Sequence, residues 1–529
     1  MSATHTDILD MHNYRIEKLP KRSHSKVEKA LHFIGIPLSI LVFFLIYFVF
    51  DLDFLMHIKP ESLSKEALKS FDKLGVIGFA QTNRAMLAIF AASLILWLTE
   101  AIPNYLTSLV LIITLVLTKV LPENVAYAQL GHKVMWLNIL SFILASMLVS
   151  TGVAKRFALW FIVKFGKNAT SIFFSFLVIN VVLSLFISAT TAKATILLPI
   201  FMVVAAVYGA TGGKNKNNFG RNLVLQNLFQ INISAGAFVT GSGANLLAAS
   251  IIAGAVGSEV FFSDWMQAAA PMALILILIG GFLGTKVFFR LKPEEQKPSI
   301  EGGMERLKQE LDKLGKIKWS EIRSIIIFGA ILLLWVTDRY HGISPTAVAF
   351  LGAVIALMPK IGVVEWNEVD IPWHLLLFSA GAYTLGAGLD HTDLPGIVVN
   401  SVFDHFGFDQ TTPFSVLYIS LTGAMIFSAL FFESKTMRAM IFVPIAIGIA
   451  QRFGLPVLSL ALPVALLIEH VYVLPFNSKP AMLLYTTDHY SLTDTFKFGF
   501  TMLVVAWIMI ILMGQTYFQW LGITPNGVF

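Results

Sequence analysis

One short pattern occurs in both halves of the chain, and each copy sets a basic residue inside an apolar run. Residues 189–200, Ala-Thr-Thr-Ala-Lys-Ala-Thr-Ile-Leu-Leu-Pro-Ile, align without gaps onto residues 434–445, Ser-Lys-Thr-Met-Arg-Ala-Met-Ile-Phe-Val-Pro-Ile. Other landmarks keep nearly the same offset. Trp97-Leu98-Thr99-Glu100 answers Trp335-Val336-Thr337-Asp338, Trp136 answers Trp373, and Gly241-Ser242-Gly243-Ala244 answers Asn477-Ser478-Lys479-Pro480. A duplicated unit of this kind can fold only as two related halves, and paired, interrupted apolar segments in a duplicated membrane chain point to a substrate held between them.

Composition fixes the solvent. Hydrophobic residues make up 56% of the chain and charged ones 13%, against about 25% charged in a soluble domain. The chain therefore reads as an all-α polytopic membrane protein. The absence of cysteine removes disulfides, thiolate catalysis and thiolate metal sites. A bilayer crossing takes about 20 apolar residues. Eleven such runs are expected, near 33–50, 82–100, 103–121, 134–154, 222–258, 265–289, 322–340, 344–360, 373–391, 456–488 and 497–519. Two further stretches, 170–209 and 413–451, carry the repeated cation at their centres and read as re-entrant hairpins. Irregular backbone at membrane depth persists only where protein or a water-filled cavity covers it. Runs 222–258 and 456–488 are broken at Gly241-Ser242-Gly243 and at residues 475–480, Pro-Phe-Asn-Ser-Lys-Pro. They read as discontinuous helices whose free ends face an ion or a substrate.

Lys and Arg bias in the loops orients the chain. The N-terminal segment holds Arg15, Lys18, Lys21, Arg22, Lys26 and Lys29, and with eleven crossings the loops with Lys155, Arg156, Lys164 and Lys167, with Lys214, Lys216 and Arg221, and the long basic loop from Arg290 to Lys318 share its side. The N-terminus is expected in the cytoplasm of a plasma (inner) membrane and the C-terminus outside. The basic start runs into the first helix without a small-residue cleavage site, which predicts no cleaved signal. Five crossings separate Trp97 from Trp335, so the repeats are expected to be inverted. The expected organisation is residues 1–80 as cytoplasmic N-terminus, first helix and external loop, 81–290 as the first repeat, 291–321 as a cytoplasmic linker and 322–529 as the second repeat. Arg156 to Lys167 fits an interfacial amphipathic helix, and Met304 to Leu314 a solvated linker helix.

These motifs resemble the divalent anion:sodium symporters, a family of succinate, malate, citrate and sulfate transporters. Ser434-Lys435-Thr436 is similar to the second of that family's two Ser-Asn-Thr hairpin tips except for Lys435, and Ala189-Thr190-Thr191 stands at the first. Gly241-Ser242-Gly243-Ala244-Asn245 and Asn477-Ser478-Lys479-Pro480 resemble the family's two helix breaks with prolines lost. Residues 373–381 and the Glu100-Ala101-Ile102-Pro103 turn are also similar, and the resemblance spans about residues 80–520. It implies a homodimer in membrane lipid, an elevator-type motion of a transport domain past a scaffold, and a small carboxylate anion between the hairpin tips. The family's substrate contacts map onto Thr190, Thr191, Lys435 and Thr436. The wider expected site adds Ser434, Lys193, Arg438, Lys479, Ser478, Asn477, Gly241, Ser242, Gly243 and Asn245.

Where the family binds sodium this chain carries Lys435 and Lys479, with Lys193 and Arg438 just past each tip. Lysine has no acceptor with which to hold a cation. These side chains are therefore expected to replace sodium as the anion's counter-charge, and fixed charges that cannot leave penalise the return of an empty carrier, which points to exchange. A second reading has Lys435 neutralise Glu433 or Glu469. Glu469 with His470 is a possible proton-coupling pair, since intramembrane carboxylates are rare and functional. Glu100 and Asp338, beside tryptophans at helix ends, are expected as interfacial anchors. No HxxxH pair or acidic cluster calls for a metal, nothing calls for a cofactor or nucleic acid, and no phosphate-binding loop marks a pump. No nucleophile with a base marks an enzyme. An anion channel lined by basic residues is the remaining alternative.

Overall fold

The computed structural model describes residues 26–58, 60, 63–99, 101–213, 216–300, 303–369, 371–398, 401, 411–432 and 434–529. Arg15, Lys18, Lys21, Arg22, Glu100, Lys214 and Glu433 lie outside them. The described residues are helical, without a strand. That is how apolar segments in lipid must fold, since an α-helix pairs its backbone groups within itself.

The described chain opens with α1 (Lys26–Phe44) and α2 (Lys65–Thr99), then α3 (Asn104–Leu117), short α4 (Glu123–Ala128), α5 (Lys133–Ser150) and α6 (Val153–Phe165). Residues 65–80, expected in an external loop, instead extend α2. The segment carries five charged residues, which hide it from an apolar scan, yet its Ala67 and Phe79 are buried and pack with Leu55. Gly75, at φ 68°, kinks the helix there.

Next come α7 (Ala169–Phe186) and α8 (Thr190–Val207), then α9 (Asn218–Gly236), α10 (Gly243–Val256) and α11 (Phe262–Leu283). A linker helix, α12 (Gly303–Lys313), leads to α13 (Trp319–Val336), short α14 (Asp338–His341), α15 (Pro345–Leu357) and α16 (Trp373–Thr392). The chain then runs through α17 (Phe414–Phe427), α18 (Lys435–Arg452), α19 (Val457–Leu466), α20 (Lys479–Tyr485), α21 (Leu492–Gln515) and α22 (Tyr517–Trp520). Among the described residues, seven helices are long and apolar enough to cross a membrane, and six shorter apolar helices of 10–17 residues accompany them.

Corresponding contacts recur in the two halves. Trp97 Nε1 donates to the Asn104 carbonyl at the start of α3 (3.4 Å), and Trp335 Nε1 donates to the Pro345 carbonyl at the start of α15 (3.1 Å). The halves also clasp each other, with α3 packing on α16 and α5 on α15. At the α3–α16 contact a Cβ on Gly381 would collide with the Ser108 Cβ, so only glycine lets the backbones close. Asp338, expected as an interfacial anchor, is fully buried and accepts from Phe262 N (2.8 Å) and Ser263 Oγ (2.6 Å). A carboxylate satisfies these free N-terminal groups of α11 better than it would serve at a wet interface.

Candidate functional site

Each hairpin folds as two helices with a short non-helical tip. In the first, residues 187–189 separate α7 from α8, and in the second, a tight turn at Ser428–Leu430 and the extended Ser434 separate α17 from α18. The long apolar runs break where expected. A tight turn at Val239–Gly241 precedes α10, and one at Pro475–Asn477 precedes α20. Gly241 is needed here because a Cβ would overlap the Ala235 carbonyl oxygen. Ser242, Ser434 and Ser478 occupy the same local role, each accepting from a backbone N–H of the helix it starts: Asn245 N at 3.2 Å, Met437 N at 3.3 Å and Ala481 N at 3.3 Å. Serine suits this place because its hydroxyl satisfies a donor that the helix cannot.

All four interruptions meet through one chain of polar contacts. Lys435 Nζ lies 2.5 Å from Glu469 Oε2 and 3.4 Å from Thr190 Oγ1, while Ser242 Oγ donates to Glu469 Oε1. The second tip, the second break, the first tip and the first break are thereby joined. Glu469 is 1% exposed and Thr190 is buried, and both Thr191 and Thr436 are half-buried beside them in sequence. Three helix N-termini, those of α8, α10 and α18, start at this junction and turn their positive dipole ends toward it.

Behind the junction lie two cations that are wholly buried, Lys193 and Arg438. Arg438 sits among five oxygens. Its Nε donates to Ser428 Oγ (2.9 Å), Nη1 to the Ile468 and His470 carbonyls (3.0 and 3.3 Å), and Nη2 to the Met425 and Leu467 carbonyls (2.6 and 3.3 Å). Lys193 Nζ donates to Ser184 Oγ (2.6 Å) and the Ile231 carbonyl (3.3 Å). The two settings share a pattern: each cation meets a serine of its hairpin, Ser184 in α7 or Ser428 in the turn after α17, and carbonyl oxygen in or just past the first half of the broken helix, Ile231 for Lys193 and Leu467, Ile468 and His470 for Arg438, which also takes the Met425 carbonyl of α17. The carbonyl end of a half-helix is its negative end, and it is an ordinary place for a cation. Around Lys193 the network continues, with the Ser184 and Ser234 hydroxyls 2.6 Å apart and Asn180 Nδ2 donating to Asn227 Oδ1 (2.9 Å) and Gln230 Oε1 (3.1 Å).

The remaining expected residues brace this frame. Asn245 Nδ2 donates to the Ala235 and Phe238 carbonyls (3.0 and 3.1 Å), closing the end of α9, and Asn477 Nδ2 donates to the Ala429 carbonyl (2.6 Å), holding the second tip to the second break. Ser478 also donates to the Val471 carbonyl (3.0 Å). Gly243 has space around it, its nearest side chain being Asn138. His470 is buried and shares a hydrogen bond with the Tyr472 hydroxyl (2.9 Å). Lys479 is exposed at the first position of α20, and no contact among the described residues draws it into this polar chain.

Sequence reasoning missed the partners of the two buried cations. Ser184 precedes Lys193 by 9 residues and Ser428 precedes Arg438 by 10. A serine at nearly the same distance before each cation was the available signal.

Comparison with known proteins agrees with this architecture. The family model described as the sodium:sulfate symporter transmembrane region matches residues 76–524. The chain is 25% identical over 466 residues to a protein of Cupriavidus necator named only as a membrane protein, an alignment covering 84% of this chain and 89% of that one. It is 25% identical over 439 residues to the sodium-dependent dicarboxylate transporter SdcS of Staphylococcus saprophyticus, covering 79% of this chain and 82% of the relative. The SdcS protein of Staphylococcus aureus is 24% identical over 438 residues, with the same coverage. The matched region contains both hairpins, both helix breaks and the buried cations, and the chain belongs to the sodium:sulfate symporter transmembrane family, the divalent anion:sodium symporters.

Proposed function

We propose that this transporter exchanges dicarboxylate dianions across the membrane without sodium, its buried side-chain cations serving as the counter-charge. The observation that carries the reading is the seating of buried Lys193 and Arg438 each among serine and carbonyl oxygens. Those are the ligands that a hard cation prefers. A sodium ion placed about 4 Å from either would be repelled by about 1 kcal/mol in water and by several in a site of lower effective dielectric.

Charge selects the substrate class. Among the described residues, the junction and the ground just behind it hold three basic side chains, buried Lys193 and Arg438 and half-buried Lys435, and one acidic one, buried Glu469, which leaves two positive charges when all four are ionised. A dianion cancels them. A tricarboxylate overshoots by one. The named dicarboxylate specificity of two relatives supports the same class. An empty site carries its two charges uncompensated, and each costs upward of about 2.5 kcal/mol at membrane depth. At about 1.4 kcal/mol per factor of ten, each uncompensated charge slows the unloaded return by on the order of a hundredfold. The reading includes an elevator motion of hairpins and broken helices past the clasped helices, a homodimer in the plasma membrane, a cytoplasmic N-terminus and an external C-terminus.

The test is uptake of labelled succinate by proteoliposomes preloaded with unlabelled succinate, in sodium and in choline buffer. Equal rates are expected. Steep activation by sodium would return the chain to symport. A proton-coupled alternative rests on the Lys435–Glu469 pair, because protonating Glu469 frees Lys435 for a substrate carboxylate. It predicts concentrative uptake into empty vesicles when the outside is acid, lost in Glu469→Gln.

A further inference from the structure

A cavity of about 680 Å³, lined by none of the junction residues, lies between α6, α7, α12 and α13. Its size is that of a small-molecule site, and such sites are mostly apolar with a few converging polar groups. The walls are Val182 and Leu183 of α7, Phe328 and Leu332 of α13, and Phe157 and Trp160 of α6. Charges gather at one end only: Arg156, Glu321, Asp312 and Lys316.

The occupant follows from where the cavity opens and from which charges are unspent. Trp160 and Ile325 line it and are 42% and 48% exposed, and Ile325 lies on α13, a helix of membrane-crossing length and composition. The opening therefore faces the acyl region of the bilayer. Its charged end sits at headgroup level, marked by the exposed Trp319 at the start of α13 and by Lys164 stacked 4.8 Å over Trp160. Arg156 and Glu321 are already spent on each other, at 2.6 Å, and Arg156 also holds the Leu314 and Gly315 carbonyls. Asp312 and Lys316 make no ion pair among the described residues. The mouth thus offers one free negative and one free positive charge.

We infer that the cavity is a site for a zwitterionic phospholipid with a primary ammonium headgroup, phosphatidylethanolamine in chemical class. One acyl chain fills the apolar cleft, the phosphate meets Lys316, and the ammonium donates to Asp312. Phosphatidylcholine shares the charge but has no N–H to donate, and phosphatidylglycerol has no cation for Asp312. The lipid chain is wedged between α7, the first arm of a hairpin, and α13, so it braces that hairpin against the clasped helices.

Binding is read without transport, so the outcome is independent of the proposed exchange. The full chain in detergent, stripped of lipid, is incubated with an equimolar mixture of phosphatidylethanolamine, phosphatidylcholine and phosphatidylglycerol and examined by native mass spectrometry. One phosphatidylethanolamine per chain is expected, at roughly fivefold or greater preference over each competitor. Gly329 lines the cavity, and a side chain there would start in open space, with nothing within 4 Å of its Cβ, so Gly329→Trp should fill the cleft and abolish retention. Asp312→Asn should keep a lipid but bring phosphatidylethanolamine and phosphatidylcholine to parity, and Asp312→Asn/Lys316→Gln should lower retention of all three. Equal retention of the three lipids by the unmodified protein overturns the inference. So does retention unchanged in both Gly329→Trp and the double variant; should Gly329→Trp fail to fold, the exposed double variant decides alone.

Discussion

Lys435 holds Glu469 at 2.5 Å, and that contact decides how substitutions at the junction should behave. Breaking a buried pair by removing one partner costs about 3–5 kcal/mol, since the other charge is left uncompensated. Lys435→Asn, which restores a Ser-Asn-Thr tip, should therefore lower the thermal midpoint of the ligand-free protein in detergent, and Lys435→Asn/Glu469→Gln should recover most of the loss. The double change also keeps two net positive charges, so any deficit in succinate affinity that remains measures direct contact between Lys435 and substrate. An expected deficit of about 1.5–3 kcal/mol corresponds to one hydrogen bond to a charged group. Glu469→Gln alone raises the net charge to three positive, and exchange should shift toward the citrate trianion relative to succinate. Competition between the two anions in loaded vesicles reads that ratio directly. Arg438→Ala empties a set of five oxygens, and sodium chloride should then raise the thermal midpoint where choline chloride does not. The unmodified protein should show no such difference.

The interrupted helices convert these residues into a site, and their breaks were visible in the sequence for local reasons. Gly241, Ser242 and Gly243 cannot continue a buried helix without cost, and Pro475 and Pro480 frame the second break. Gly241→Ala should make the case at this scale. Its Cβ would press on the Ala235 carbonyl oxygen, so the turn before α10 must open and carry Ser242 away from Glu469. Exchange should fall at least tenfold, while circular dichroism keeps its helical content. What was not legible at this level is informative. The start of α2 was missed because its charged residues interrupt the hydropathy signal while its apolar positions still pack inward. The exposure of Lys479 was not legible because a serine-flanked lysine beside a helix break reads the same whether it turns into the oxygen cage or out of it; only the positions of carbonyls from other elements decide. The partners of Arg438 are mostly backbone oxygens, which carry no residue signature at all.

At the scale of the whole molecule, two cations arrive in similar surroundings, each basic residue lying one turn beyond a hairpin tip and meeting carbonyl oxygen of a broken helix. Both positions were legible because residues 189–200 and 434–445 align in register. The reciprocal packing of α3 on α16 and α5 on α15 was not, since which helix faces which depends on small residues such as Gly381 that look alike in every apolar run. Among the described residues Glu469 is the carboxylate at the junction, and it breaks the equivalence and leaves two positive charges in place of three. This net charge carries the central claim, because it makes the dianion-loaded carrier neutral and the empty one costly to move. The direct measurement is labelled succinate uptake in choline buffer, at matched internal and external pH, into vesicles either preloaded with unlabelled succinate or empty. The account predicts rapid uptake by loaded vesicles and uptake lower by about a hundredfold or more in empty ones. Comparable initial rates in the two would contradict it.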